Sequence, residues 1–260
     1  MHKVNVPSNS IRTDLVLEED LSSKESLKLD DNNPIKKVDL VKGKDKYTTI
    51  LFKDITDKEE YILVQNKLKE VLKEYIDPKD KDSYLIIGLG NPKSTPDSLG
   101  PKTIKEILVT RYLYLLGELD LNVSSVSIYE PNVCGNTGIE SVNLIKKVIE
   151  EVKPTKVIII DALKASHIER LVKTIQITNS GIHPGSGIFN DQGEISEKTM
   201  NCKIIAIGIP TVVDKNTMIN KVSDDNFMVT PTNIDFMVEK LSHLLGTTIN
   251  HIINPKIFDK

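Results

Sequence analysis

Two aspartates that follow predicted buried strands are the residues of this chain best placed for chemistry. The apolar run at 85–89 predicts a strand buried on both faces, and Asp97 follows it before the next predicted helix. The run at 157–160 predicts a second such strand, which ends at Asp161. Carboxyl ends of parallel strands meet at one edge of a sheet, so both carboxylates are expected there. Two carboxylates at one edge suit general acid–base catalysis.

Each aspartate taken alone also fits a structural role. The sequence Thr-Pro-Asp-Ser at 95–98 predicts a turn in which Asp97 caps a helix, although the spacing to Pro101 makes it a poor cap for the main helix. Asp161 fits an N-cap of a helix at 162–171. A carboxylate at the end of an all-apolar strand is partly desolvated, which raises its pKa. The pairing at one edge favours a catalytic role, and Asp214, at a third strand end, ranks below these two.

The turn Gly88-Leu-Gly90-Asn91 after the first strand matches a dinucleotide-binding motif only in part. That motif needs a third glycine three residues after the second, and position 93 is Lys. The next helix also starts about ten residues later, too far away for its N-terminus to hold a pyrophosphate. We therefore interpret the glycines as a tight strand exit, followed by a long loop of the kind that often carries function.

The segment His183-Pro-Gly185-Ser186-Gly is a rigid loop that offers a histidine and a serine. It lacks the spacing of the Gly-x-Ser-x-Gly nucleophile motif, and a surface turn is the alternative interpretation. His183 together with Asp97 and Asp161 also makes a ligand set that suits several divalent metal ions. The residues alone leave a metal-free carboxylate pair and this metal site both open.

Composition describes an ordinary globular protein. The 260 residues are 39% hydrophobic and 27% charged, with a net charge of −3. This balance gives no basic field that would attract nucleic acid. No apolar run approaches the ~18 residues of a membrane span, and the N-terminus has no signal-peptide pattern. Cys134 and Cys202 lack metal-ligand spacing, so we expect a reduced, cytoplasmic compartment and no cofactor.

The order of the predicted elements gives the fold class. Residues 1–34 are polar and predict a mobile arm. Residues 35–80 predict a β-hairpin and then a helix with a capping box formed by Asp57 and Glu60. From 81 to 260, strands alternate with helices, which predicts a three-layer α/β/α domain with a mostly parallel sheet.

The residue pattern of the larger domain also predicts three details of its helices. A helix near 102–116 would place Arg111 on its apolar stripe, where a charged residue is unexpected. A second capping box, Thr137-Gly-Ile-Glu140, is predicted to open the following helix. The last helix, about 232–245, is predicted to stop at Gly246.

A series of short segments stands in a fixed order along the chain, and together they closely resemble the germination protease family, spore endopeptidases of spore-forming bacteria. The resemblance covers about residues 10–20 and 84–215, with a further match at 228–231. The segments are Ile11-Arg-Thr-Asp-Leu-Val-Leu-Glu18, Gly88-Leu-Gly-Asn91, Thr95-Pro-Asp-Ser-Leu-Gly-Pro101, Leu108-Val-Thr-Arg111, Thr137-Gly-Ile-Glu140, Asp161-Ala-Leu163, Thr174-Ile-Gln-Ile177, Gly181-Ile-His-Pro-Gly-Ser-Gly187, Ala206-Ile-Gly-Ile-Pro-Thr-Val-Val-Asp214 and Met228-Val-Thr-Pro231.

This resemblance implies an endopeptidase that degrades small acid-soluble spore proteins at the start of germination, in the cytoplasm of the forespore or spore core. It implies a fold related to hydrogenase-maturation proteases (phosphorylase/hydrolase-like) and a homotetramer. It also implies a zymogen, activated by removal of a short N-terminal segment cut near Arg12, Thr13, Asp14 and Leu15. The family's proposed catalytic aspartates match Asp97 and Asp161, the pair that the strand ends select independently.

A mechanism follows as a hypothesis. One ionised carboxylate takes a proton from water, while the protonated partner polarises the scissile carbonyl or protonates the leaving nitrogen. Backbone N–H groups near Gly90 and Asn91, and near Gly185 and Ser186, are expected to help hold the developing oxyanion. Arg111 is expected to reach the edge of the site and pair with an acidic group.

The chain departs from the family pattern in places, and other classes of hydrolase share some motifs. Pro92 and Cys134 stand where the family has Trp and Met, and a long stretch is reduced to 215–227, which puts the oligomer and substrate groove in doubt. Gly-Leu-Gly-Asn-Pro also begins peptidyl-tRNA hydrolases, but Thr110-Arg111 is not followed by their histidine. A metal-dependent endopeptidase of hydrogenase-maturation type and a non-catalytic relative that binds spore proteins are the remaining alternatives.

Overall fold

The structure is a computed structural model that describes residues 14–19, 29, 34–79, 82–118, 123–184, 193–215 and 227–258. The predictions for Arg12, Thr13, Gly185 and Ser186, and for most of the arm at 1–34, lie outside these residues. In the described part of the chain, no helix is long and apolar enough to cross a membrane.

The described strands form one eight-stranded sheet in the order β1-β2-β6-β7-β5-β3-β4, with β8 beside the end of β7. The neighbouring strands β4, β3, β5 and β7 run parallel, whereas the hairpin β1–β2 joins the sheet antiparallel through β6. The strands are β1 (Ile35–Lys42), β2 (Asp45–Phe52), β3 (Ser83–Gly88), β4 (Ser125–Tyr129), β5 (Lys156–Ala165), β6 (Thr174–Thr178), β7 (Lys203–Asp214) and β8 (Met228–Val229).

Helices cover both faces of this sheet, which confirms the predicted three-layer α/β fold. Alternate residues of the central strands, such as Ile158 and Ile160, pack with helices α2, α3 and α8, while Val157 and Ile159 face α6. The helices are α1 (Val16–Glu19), α2 (Lys58–Ile76), α3 (Leu99–Lys105), α4 (Arg111–Leu116), α5 (Cys134–Thr137), α6 (Ser141–Val152), α7 (Glu197–Met200), α8 (Ile234–Ile253) and α9 (Pro255–Phe258).

The predicted hairpin and its helix are confirmed, with one change at the cap. The Asp57 carboxylate accepts a hydrogen bond from the Glu60 N–H at 2.8 Å, as the capping box requires. The Glu60 carboxylate instead accepts from the N–H of Lys53, at the end of the hairpin. The helix is therefore tied to β2 at its first turn.

The single helix predicted at 102–116 is wrong, because the chain breaks between α3 and α4. The Thr110 N–H donates to the Val126 carbonyl at 3.1 Å, and the Thr110 hydroxyl accepts from the Val126 N–H at 2.9 Å. These bonds fasten residue 110 to the edge strand β4 and interrupt the helix. Tyr112 and Leu115, which would share the apolar face of a continuous helix, are 56% and 67% exposed on α4.

Three smaller predictions also fail for local reasons. Helix α6 begins after Glu140 without a side-chain cap, since Thr137 belongs to the preceding turn α5. Asp161 caps no helix, because β5 continues to Ala165. Helix α8 passes through Gly246, where the missing side chain leaves room for the Glu106 side chain to pack closely.

Candidate active site

Asp97 follows the carboxyl end of β3, and Asp161 lies within the neighbouring parallel strand β5, at the level where β3 ends. Gly88 ends β3 and pairs with Ile160 of β5, so Asp161 comes one residue beyond the end of that pairing. The Leu89 N–H donates to the Ile160 carbonyl at 2.8 Å and continues the pairing. Asp97 follows in a single 3₁₀ turn, Thr95–Asp97, on the loop that leaves β3. Asp97 follows the end of β3, as predicted, whereas the predicted strand end at Asp161 is wrong, because β5 continues to Ala165.

A glycine contact lets helix α3 begin directly on these strand ends. A Cβ added to Gly100 would overlap the Leu89 carbonyl oxygen and lie 2.6 Å from the Ile160 carbonyl oxygen. A Cβ added to Gly88 would lie 2.5 Å from the Gly100 carbonyl carbon. Only glycine permits such an approach of backbone to backbone. The close packing fixes the start of α3 and, with it, the short turn that carries Asp97.

The turn at Gly90 and Asn91 holds Asp97 in place through its backbone. The Asn91 N–H donates to the Asp97 carbonyl oxygen at 3.0 Å and to its carboxylate Oδ2 at 2.8 Å. Gly90 has φ of 118° and leaves no room for a side chain against Asp97. The Asn136 side chain donates to the Asn91 Oδ1 at 2.9 Å and braces the turn. In this arrangement the Asn91 N–H orients Asp97.

Both carboxyl groups are shifted toward the protonated form. Burial raises the pKa of Asp97 to about 6, although the Asn91 N–H works in the opposite direction. Burial and then the charges of Asp97 and Asp14 raise the pKa of Asp161 well above its usual range, against a hydrogen bond from the Ala162 N–H. Among the described residues no cation pairs with either aspartate. The pair is thus prepared to hold a proton at neutral pH.

The N-terminal segment 14–18 docks against the extension of β5 beyond Asp161. The Asp14 N–H donates to the Lys164 carbonyl at 3.0 Å, and the Asp14 carboxylate accepts from the Lys164 N–H at 2.8 Å. Glu18 accepts from the N–H groups of Ser166 and His167 at 2.7 and 3.1 Å. This part of the predicted processing region therefore lies close enough for its charge to act on Asp161.

Apolar side chains of the same segment fill two pockets of the body. Leu15 is 1% exposed and packs with Leu163, Ala165 and Ile182, and Leu17 packs with Leu51 of β2. Burying a leucine in this way stabilises the docked state by about 2 kcal/mol per side chain. Residues 14–18 are therefore held to the body by backbone bonds, charge and apolar packing together.

The loop that carries His183 lies next to the Leu15 pocket, with the histidine itself exposed. Ile182 pairs with Ile195 through two backbone bonds of 2.9 Å and packs against Leu15. Among the described residues, no group of three or more His, Cys, Asp or Glu side chains is arranged to hold a metal ion. The ligand set of Asp97, Asp161 and His183 is accordingly not assembled in this part of the structure.

Arg111 lies at the other end of the strands from the aspartates. It follows Thr110, which bonds Val126, and Val126 pairs with Tyr84 near the start of β3. In β5 this level corresponds to Lys156, five residues before Asp161, or about 17 Å along the strand. Arg111 forms no ion pair with a described acidic residue. The structure gives no support to the predicted role of Arg111 at the site.

Sequence reasoning missed two residues that contact the docked segment, Lys164 and Gln176. Gln176 is 7% exposed within β6, where its side-chain amide bonds the backbone of residues 14 and 16. A glutamine inside the otherwise β-branched run Thr-Ile-Gln-Ile-Thr was the available signal. Asp214, ranked third, instead lies 3.4 Å from the Lys164 Nζ and so has a cation beside it.

Comparison with known proteins gives consistent relatives. The sequence model of the germination protease family matches residues 16–225. The germination protease of Clostridium tetani (strain Massachusetts / E88) is 37% identical over 220 residues, 68% of each chain. That of Clostridium acetobutylicum is 33% identical over 263 residues, 83% of this chain and 80% of the relative. That of Bacillus subtilis (strain 168) is 48% identical over 144 residues, 55% of this chain and 39% of the relative.

Among solved structures, the NiFe hydrogenase maturation protease HycI from Thermococcus kodakarensis KOD1 aligns with a TM-score of 0.41 and 17% identity. The alignment covers 69% of this chain and 98% of that one. A likeness of this degree adds no argument to the fold described above. The sequence match of the family spans most of the chain and includes both Asp97 and Asp161. The chain therefore belongs to the germination protease family, a family of peptidases.

Proposed function

We propose that this protein is an endopeptidase that hydrolyses peptide bonds with the carboxyl pair of Asp97 and Asp161. The observation that carries the proposal is the state of that pair. Two carboxyl groups, one after the end of β3 and one within the adjacent strand β5, are desolvated, act on each other electrostatically and have no cation beside them in the described structure. Structural carboxylates are normally neutralised by a partner, whereas unpaired ones with raised pKa are typical of acid–base catalysis.

The two pKa shifts assign different roles to the two groups. The pKa of Asp97 rises to about 6, so this carboxyl is ionised near pH 7 and accepts a proton from the attacking water. Burial and the neighbouring charges raise the pKa of Asp161 well above its usual range, and in this mechanism its carboxyl keeps its proton and donates it toward the scissile carbonyl oxygen and then the leaving nitrogen. The water's oxygen bonds the carbonyl carbon, and the carbon–nitrogen bond breaks when the nitrogen is protonated.

Activation by removal of an N-terminal segment is part of the proposal. Residues 14–18 are docked beside Asp161, and the Asp14 charge adds to the raised pKa of that group. A segment held in this position restricts access to the pair. Its removal, with the cut in the region of Asp14 and Leu15, opens the carboxyl pair to other proteins.

The substrate, assembly and place of action follow from family membership. We infer that the substrates are small acid-soluble spore proteins, cut in the forespore or spore core during germination. We infer a homotetramer as the working form. The relatives named above carry the name germination protease, which supports a protein substrate in spores.

Asparagine variants of the pair test the mechanism. Asp97→Asn and Asp161→Asn keep side-chain size and are expected to lower cleavage of a small acid-soluble spore protein at least about 1,000-fold, since general acid–base catalysis alone contributes 10²–10⁴-fold. Asp235→Asn, at an exposed position of α8, is the matched control and is expected to cleave normally. Mass spectrometry gives the cleavage and circular dichroism the folding.

Two results would contradict the assignment. One is a folded Asp97→Asn or Asp161→Asn variant that cleaves at a rate comparable to the Asp235→Asn control. The other is wild-type activity that is fully lost to a chelator and restored by a divalent ion, which would favour the metal-dependent alternative.

A further inference from the structure

Gln176 makes two hydrogen bonds to the backbone of the docked N-terminal segment. Its Oε1 accepts from the Val16 N–H at 2.8 Å, and its Nε2 donates to the Asp14 carbonyl oxygen at 3.1 Å. The two bonds lie on either side of Leu15, whose side chain is buried in its own pocket. One amide side chain thus fixes three consecutive residues, and it does so through backbone atoms.

The sheet places the Gln176 side chain in the same row of paired residues as Asp161. Gln176 pairs with Gly208 of β7, and Gly208 pairs on its other side with Asp161 of β5. Directly paired residues share one face of a sheet, so Gln176 and Asp161 point to the same side. Two strand spacings separate their Cα atoms by about 10 Å. Gly208 between them has no side chain, and Leu163 lies over it.

The segment runs from the extension of β5 beyond Asp161 toward Gln176 of β6. Asp14 is bonded to Lys164, three residues beyond Asp161, while Val16 is bonded to Gln176 two strands away. Leu15, between them, contacts the Leu163 that covers Gly208. The backbone at 14–16 is therefore held by Gln176 on one side and by Lys164, three residues beyond Asp161, on the other.

We propose that Gln176 is a positioning residue that holds the backbone of the N-terminal segment in the register in which it is cut. The inference rests on the proposed removal of that segment and takes the protein's own aspartate pair as the group that cuts it. An amide is suited to this task because it donates to one backbone carbonyl and accepts from one backbone N–H without adding a charge beside two carboxyl groups. Small displacements of a reacting bond lower rates steeply, by up to about 100-fold for 1 Å.

The first experiment compares Gln176→Leu with Thr174→Val in the full-length chain. Leucine keeps the volume and removes both hydrogen bonds. Thr174 lies on the same strand and face, and its buried hydroxyl has no hydrogen-bond partner in the described structure, so Thr174→Val is a matched control. We expect Gln176→Leu to lose its segment about 100-fold more slowly, with fragment ends spread over neighbouring bonds, and Thr174→Val to behave as wild type. Equal rates and identical fragment ends would overturn the proposal.

The second experiment uses Gln176→Glu, which separates positioning from packing. A protonated carboxyl keeps one donor and one acceptor, whereas a carboxylate cannot donate to the Asp14 carbonyl. Among the described residues, the charged groups that face this site are Asp14 on the segment and Asp161 on β5, while β2 and β7 contribute Thr49 and Gly208. The ratio of the Gln176→Glu rate to the wild-type rate is expected to rise at least tenfold from pH 8 to pH 5. A flat ratio would contradict the proposal, since packing alone does not titrate.

A third measurement keeps this inference distinct from the proposed self-removal. In an Asp161→Asn background no cut is expected, and hydrogen exchange of the Val16 amide reports the bond to Gln176 directly. We expect exchange at least tenfold faster when Gln176→Leu is added. Unchanged exchange would overturn the role of Gln176, whereas a wild-type chain that never loses its segment would overturn the self-removal alone.

Discussion

Carboxyl groups lie at the amino ends of β3 and β5 and again toward their carboxyl ends, and the two ends differ in what accompanies these groups. At the amino ends, Asp82 and Lys156 form an ion pair at 8% and 6% exposure, and the Tyr84 hydroxyl donates to Asp82 at 3.1 Å. At the carboxyl ends, Asp97 and Asp161 face each other's charge with no cation among the described residues. The same residue type is thus used in two opposite ways on the same two strands.

The neighbouring groups determine whether the pKa of each carboxyl group is raised or lowered. Burial alone would raise the pKa of Asp82, but bonds from Lys156, the Lys79 N–H and Tyr84 hold that pKa below its usual value. Burial raises the pKa of Asp97 and of Asp161, and only backbone N–H groups oppose it. One end of the sheet therefore stabilises the fold with a fixed charge, while the other favours the protonated carboxyl that the proposed catalysis requires.

Removing the cation at the structural end is expected to have the largest effect on stability. Lys156→Met leaves Asp82 buried and unpaired, which costs about 3–5 kcal/mol of unfolding free energy. The double variant with Asp82→Asn should recover much of this loss, since it removes the isolated charge. Lys146→Met, exposed on α6, is the control and is expected to change stability by less than about 0.5 kcal/mol. Urea unfolding gives the free energy of unfolding of all three variants. A loss for Lys156→Met as small as that of the control would contradict the contrast drawn between the two ends.

At the proposed catalytic end, backbone groups hold Asp97 in place, so we expect a substitution of the glycine beside it to disturb its position. Gly90→Ala places a Cβ on the Asp97 carbonyl oxygen at φ of 118°, and is expected to cost about 2–4 kcal/mol and most of the cleavage activity. Gly138→Ala is a matched control, because Gly138 also has a positive φ, 73°, but nothing within 4 Å. It should cost about 1–2 kcal/mol and leave activity per folded molecule unchanged. Equal activities in the two variants would show that the turn does not position Asp97.

The sequence was sufficient to predict that the two aspartates lie close together, because neighbouring parallel strands run toward the same edge of a sheet. The apolar run before Asp97 located the end of β3, whereas β5 runs past Asp161 to Ala165, and the layered fold followed from the alternation of elements. Periodicity failed at 102–116 because Thr110 bonds the edge strand, a contact between residues distant in sequence. Tertiary contacts of this kind override local pattern.

The structural pair and the clamp on the N-terminal segment were beyond sequence reasoning for the same reason. Asp82 and Lys156 are 74 residues apart, and Gln176 and Val16 are 160 apart. Nothing in the local pattern around Lys156 distinguishes it from a lysine at the exposed start of a strand. Only the three-dimensional pairing shows that one lysine is buried with a carboxylate and that one glutamine binds a distant backbone.

The pH dependence of stability should have opposite signs at the two ends. With a folded pKa of about 6 and an unfolded pKa of about 3.9, Asp97 binds a proton in the folded state that the unfolded chain releases. Stability from this group is thus complete below about pH 4 and falls by up to about 3 kcal/mol as pH rises to about 6. Asp82, with its lowered pKa, contributes stability above its unfolded pKa that is lost as pH falls through the folded value.

Asp97→Asn tests the pH dependence of stability at the proposed catalytic end. Asparagine cannot ionise, so the variant is expected to be up to about 3 kcal/mol more stable than wild type at pH 8 and nearly equal to it at pH 4. Loss of the Asp97 charge also removes a repulsion that raises the pKa of Asp161, which stabilises the variant further at high pH. Asp82→Asn should instead destabilise most at pH 8, because it removes the ionised partner of Lys156. Chemical unfolding from pH 4 to pH 8 measures both slopes, and an Asp97→Asn curve parallel to wild type would show that Asp97 ionises without cost and is no proton-holding group.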